Sequence, residues 1–132
     1  MRSFHKNSLG FTLIEIMAVL VIMGVMASVA VSKINDISGT ADERALDTGI
    51  AELNAREMLY WTNAKFAAGG WTADTDVTND PGYNLNLNRP GQSEYSWTAG
   101  PNATSGTLRF GSRSVVLRRL VSTNTAAARW GP

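Results

Sequence analysis

The stretch G-F-T-L-I-E-I-M-A-V-L-V-I-M-G-V-M-A-S-V-A-V, Gly10 to Val31, decides the fold. From Phe11 to Ser32 there are 22 residues, and only Glu15 carries a charge. At about 1.5 Å per residue, a helix of this length reaches roughly 33 Å, enough for a hydrocarbon core of about 30 Å. A carboxylate inside such a helix costs about 2.5 kcal/mol or more, and intramembrane charges usually mark function. The role of Glu15 therefore turns on what it pairs with.

Working outward, the ten residues before Phe11 carry Arg2 and Lys6, with His5 and no acid. Basic residues on this side favour a cytoplasmic N-terminus, with the rest of the chain passed across the membrane. Three readings fit a basic start and an apolar run. One is a secretory signal cut at the small residues Ser28–Ala30, which Glu15 in the apolar centre opposes. Another is a plain anchor that tolerates Glu15 near its end. The third takes Gly10, Phe11, Thr12, Leu13, Ile14 and Glu15 as one unit, and it is the one favoured here.

That unit resembles the cleavage motif of type IV prepilins and type II secretion pseudopilins. The resemblance covers about residues 1–35. It implies that a prepilin peptidase removes a basic leader, residues 1–10, by cutting between Gly10 and Phe11, after which the Phe11 amine is methylated. It also implies that Glu15 is an assembly residue that neutralises the new amine of a neighbouring subunit. Two opposite charges in a low-dielectric medium attract strongly, whereas either alone is costly. Many members of the family carry proline 21 places after the new N-terminal residue. Here that place is Ser32, so Gly24 becomes the candidate centre for any local melting of the helix in a filament.

Beyond the assembly half, residues 11–32, a soluble head of residues 33–132 is expected. Leu46, Ile50, Leu53, Tyr60 and Ala64 recur at three- and four-residue spacings, which marks one face of a helix. Glu57 falls on that stripe and breaks its pattern. No proline interrupts the chain between Phe11 and Asp80. Gly39 and Gly49 are candidate bends, and Gly69-Gly70 is the expected stop. One helix from about 11 to 66 follows. Residues from about 69 to 90 read as loop. Tyr95 with Trp97, Leu108 with Phe110, and the run Ser114–Val121 read as antiparallel strands between about 93 and 121. A hairpin is expected at Gly111-Ser112-Arg113. The expected fold is α+β, a long helix covered by a small three-stranded sheet, the architecture that the resemblance also implies.

Charge is uneven although the net is +1. Residues 33–80 hold four basic and nine acidic side chains, and residues 81–132 hold six arginines against Glu94. Opposite ends can attract within one subunit or between subunits. Arg109, Arg113, Arg118, Arg119 and Arg129, with Trp97, Phe110 and Trp130, are also a candidate DNA surface, the less favoured reading. Asp74, Asp76, Thr78 and Asp80 alternate as in a calcium loop. An EF-hand needs glycine and glutamate where Asn79 and Leu85 stand, so a polar turn is favoured, with Asp74, Asp76 and Asp80 as weak calcium candidates. Asn102-Ala103-Thr104 is a glycosylation-like triplet.

No cysteine exists, and His5 is the single histidine. That excludes thiolate chemistry and removes the common proton shuttle from the body of the chain. Nothing in the sequence suggests an enzyme or a cofactor. The expectation is a filament subunit, tipped slightly toward a type II secretion pseudopilin over a type IV pilus pilin. Its partners would be copies of itself, other pilin-like subunits, the prepilin peptidase, an assembly ATPase, a platform protein and the inner membrane. The head would lie in the periplasm or outside the cell. An anchored binding module that never polymerises is the competing class.

Overall fold

The computed structural model describes residues 11–88 and 94–132. The chain divides into two compact units between Ile37 and Ser38. Helix α1, Leu13–Phe66, runs 54 residues. In the first unit it stands bare: every side chain from Phe11 to Ile37 is exposed, including Leu13 at 78% and Met26 at 68%. The helix is long and apolar enough there to cross a membrane.

In the second unit α1 buries Leu46, Gly49, Leu53, Glu57 and Ala64. These lie three, four or seven residues apart, so they form one stripe. The expected face is therefore present, with Glu57 inside it rather than interrupting it. The helix ends at Phe66. Gly69 and Gly70 follow with φ of +103° and +68°, a left-handed region that glycine enters without a Cβ penalty.

The segment read as loop contains a short helix, α2, Asp74–Thr78. Its start is held by Asp76, whose Oδ2 accepts from Thr72 N at 2.6 Å, Thr72 Oγ1 at 2.7 Å and Ala73 N at 2.9 Å. Asp and Thr in this run read as turn formers, yet the same residues satisfy helix N-termini. α2 then buries Val77 completely.

Four strands complete the head: β1 Tyr95–Ala99, β2 Ser105–Phe110, β3 Arg113–Leu120 and β4 Arg129–Gly131. They form one antiparallel sheet in chain order. The expected hairpin closes at Gly111 (φ +53°), with Phe110 paired to Arg113. β4 is the strand that the sequence reading missed. Its three residues are too few to show alternation, and only pairing with Arg118–Leu120 reveals it.

The core comprises Leu46, Leu53, Leu108, Leu117 and Trp130, with Ile50, Tyr95, Trp97 and Phe110 packed around it. Gly49 is a point of close approach rather than a bend signal. A Cβ there would lie 2.7 Å from Tyr95 Cε1. Asparagine amides clasp both outer strands. Asn54 donates to Trp130 O at 3.1 Å and accepts from Trp130 N at 2.7 Å. Asn88 does the same for Tyr95, at 2.7 and 2.8 Å. Sheet edges leave backbone groups without strand partners, and these amides supply them.

Candidate functional site

The first unit carries the residues on which the assembly expectation rests. α1 begins at Leu13, so Thr12 is its N-cap and Glu15 the third helical residue. Thr12 Oγ1 accepts from Glu15 N at 3.3 Å, while Glu15 Oε2 accepts from Thr12 N at 2.7 Å and Thr12 Oγ1 at 2.9 Å. This is a capping box, in which the two residues engage each other's backbone N–H reciprocally. Thr12-x-x-Glu15 is the sequence signature of that box, and the signal was available before any fold was known.

Glu15 therefore has a partner within its own first turn. The carboxylate is folded back toward the helix N-terminus, where the helix dipole also favours negative charge. Both Thr12 bonds go to Oε2, which leaves Oε1 outside these bonds. Phe11 is 82% exposed immediately before this turn. Gly10 and the leader lie outside the described residues. Gly24 sits in the bare segment, where an added Cβ would meet nothing within 4 Å.

In the second unit the aspartates named as calcium candidates are each engaged separately. Asp74 accepts from Arg119, Asp76 caps α2, and Asp80 Oδ1 accepts from Gly82 N at 2.7 Å. Among the described residues no group of three or more His, Cys, Asp or Glu side chains is gathered to hold a metal ion.

Asp74 belongs instead to a charged core around Arg119. The guanidinium reaches Glu57 through Nε at 2.7 Å and Nη2 at 3.0 Å, and Asp74 through Nη1 at 2.6 Å and Nη2 at 3.1 Å. Nη1 also donates to Ala103 O at 3.3 Å, so all five guanidinium donors are used. Glu57 Oε1 further accepts from Tyr83 at 2.7 Å and from Trp130 Nε1 at 2.9 Å. Ser122 donates to Asp74 through both N and Oγ. Burial pushes Asp74 up, but the bonds from Arg119 and Ser122 outweigh it and hold its carboxyl below the usual value. Burial, with Glu57 beside it, pushes the Tyr83 phenol up. Burial disfavours the Arg119 charge, yet Glu57 and Asp74 more than restore it. Arg119 and Glu57 are fully buried while Asp74 and Tyr83 are half-buried, and the cluster fastens the elements that supply these side chains.

The expected basic and aromatic residues do not all lie on one surface. Arg119 points inward, and Trp97 and Trp130 face each other across the core with ring centroids 5.5 Å apart. Arg109, Arg113, Arg118 and Arg129 are exposed. Arg109 donates to Gly111 O at 3.0 Å. Residue order alone could not show this, because Arg118 and Arg119 are neighbours that point to opposite faces of a strand. Asn102 is exposed, and its Oδ1 accepts from Thr104 and Ser105, fastening the β1–β2 connection.

Residues 5–31 match the family model described as the prokaryotic N-terminal methylation motif. A curated relative, the type IV narrow pilus major component PilA5 of Thermus thermophilus, is 30% identical over 99 residues. The match covers 75% of this chain and 83% of that protein. No solved structure matches.

Proposed function

This chain belongs to the type IV pilin and pseudopilin family, and on that premise we propose that it is a structural subunit of an extracytoplasmic filament, trimmed between Gly10 and Phe11. The observation that carries the proposal is the bare apolar run of α1, residues 13–31, with Glu15 as its single carboxylate. Burying that helix among copies of itself removes apolar surface from water or lipid, and Glu15 sets the condition for docking. Cleavage would create a positive amine one residue from the Thr12 N–H that Glu15 already engages. The carboxylate is thus placed for an amine of its own chain or of a neighbour, and an uncompensated charge in the bundle would be expensive.

The slight tilt toward a secretion pseudopilin rests on the missing disulfide pair and the small head. The pilus relative supports a type IV pilus at least as well, so the filament type is left open within the proposal. A peptidase, an assembly ATPase, a platform protein and the inner membrane are the partners that this role requires. No catalytic step or cofactor is proposed.

N-terminal mass spectrometry of filaments sheared from native cells tests the proposal. A peptide starting at Phe11 with one added methyl group is expected. An N-terminus at Val31 would make residues 1–30 a secretory signal, and an intact Met1 would leave a simple anchor.

A further inference from the structure

Folding of the head sorts its charged side chains into those satisfied within one subunit and those left over. Arg56 pairs with Glu52, and Arg119 with Glu57 and Asp74. Arg109 donates to Gly111 O, while Asp42 accepts from Ser112 with Arg113 beside it. Four exposed residues remain: Arg118 and Arg129 on the sheet, Glu43 and Asp47 on α1. Among the described residues their side chains make no ion pair and no hydrogen bond.

These four form two doublets of like charge. Leu117, Arg119 and Trp130 are buried toward α1, so Arg118 and Arg129 stand on the opposite face of the sheet. Across β3 and β4, Arg118 pairs with Gly131 and Leu120 with Arg129. The two arginines are therefore diagonal neighbours, about 7–8 Å apart. Glu43 and Asp47 lie one turn apart on α1, outside its buried stripe, with roughly 5–6 Å between Cβ atoms. Arg44, exposed between them, makes no ion pair with either. Like charges at these spacings repel. No acidic residue follows Glu94 in the chain, so the sheet offers its arginines no relief.

We infer that the Arg118–Arg129 face of one head docks on the Glu43–Asp47 turn of a second copy. The inference rests on the filament proposal and adds a contact between heads. Each doublet supplies the countercharge that the other lacks, at a similar spacing. An isolated exposed ion pair contributes little, but here docking also removes two repulsions. Val116 at 65% and Leu120 at 71% exposure share the sheet face with the arginines and lose apolar surface to water on contact. The contact joins two different surfaces of one chain. Such a heterologous contact does not close on itself and extends into an open helical polymer.

Charge reversal in the full-length chain tests the contact. Arg118→Glu with Arg129→Glu is expected to lower sheared filament yield about fivefold or more, because like charges then face each other. Glu43→Arg with Asp47→Arg is expected to do the same. Membrane level and protease resistance of the head should stay unchanged in both. All four changes together are expected to restore at least half of the lost yield. Where a reversal makes the head protease-sensitive, the corresponding Gln substitutions repeat the reading without new charge. Wild-type yield from either reversed doublet would overturn the inference. So would a failure of the fourfold variant to recover while its head stays protease-resistant. Normal filaments that no longer retain double-stranded DNA after the arginine reversal would also overturn it, and would assign that face to the polymer. Absence of filaments from the unsubstituted chain would instead remove the filament proposal and this contact with it.

Discussion

Arg119 and Glu57 form a two-pronged ion pair at 2.7 and 3.0 Å with both side chains shut away from water. The pair joins β3 to the middle of α1. Asp74 of α2, Tyr83 and Trp130 of β4 close around it. The guanidinium itself holds Glu57 and Asp74, and Tyr83 and Trp130 are tied to it through Glu57. Removing one partner leaves an uncompensated buried charge, which typically costs about 3–5 kcal/mol. Arg119→Ala is expected to lose at least that much, read as a lower denaturation midpoint with Trp fluorescence as the probe. Glu57→Met with Arg119→Met is expected to be less damaging than Arg119→Met alone. Equal or greater damage from the double change would show that the pair contributes net stability.

Glycines at two positions of α1 are expected to answer the same substitution with opposite signs. Gly49→Ala forces a Cβ to within 2.7 Å of the Tyr95 ring and 3.1 Å of Leu87. Overpacking of this kind costs about 1–3 kcal/mol, more than the roughly 1 kcal/mol gained in helix propensity. Gly24→Ala meets nothing and is expected to raise helix content in detergent, measured by circular dichroism. A stabilised Gly49→Ala head would contradict the close approach.

Acid should unfold the head only below the ordinary aspartate range. Hydrogen bonds from Ser112 hold Asp42 down, those from Ala73 and Thr72 hold Asp76 down, and Asp74 is also lowered. A carboxyl lowered by folding contributes stability above its unfolded value, about 3.9. That contribution fades as pH falls through the folded value. Denaturant titrations at pH 7, 4 and 2.5 should show little change in the first step and a clear loss in the second. Asp74→Asn should shrink the second.

At the alkaline end Tyr83 acts in the opposite direction. Its phenol is raised by burial and by Glu57, so its contribution is complete below about pH 10 and declines as pH rises further. Tyr83→Phe is expected to lower stability at pH 8 by about 1–3 kcal/mol, because Glu57 loses a donor. It is also expected to flatten the loss between pH 10 and 11.5. An unchanged alkaline slope would assign that slope to another group.

Glu15→Ala is expected to leave membrane insertion intact while abolishing or severely impairing filaments. Cell fractionation and electron microscopy of sheared material read the two outcomes separately. Filaments of normal number and length would sink the assembly role assigned to Glu15.

Sequence by itself determined the parts governed by local rules. The apolar run, the Thr12-x-x-Glu15 cap, the buried stripe of α1, the stop at Gly69-Gly70 and the Gly111 hairpin all depend on spacing over a few residues. The inward sides of β1 and β2 followed from alternation, with Tyr95, Trp97, Leu108 and Phe110 as expected. The rest depended on pairings between distant positions. Glu57 looked like a flaw in a hydrophobic face because its partner lies 62 residues away. Asp74 read as part of a polar turn, with calcium as the weaker alternative, because the guanidinium it serves is 45 residues further along. β4 is three residues long and exists as a strand only against β3. A buried charge is tolerable only when its partner arrives from elsewhere in the chain, and that arrival is decided by tertiary structure.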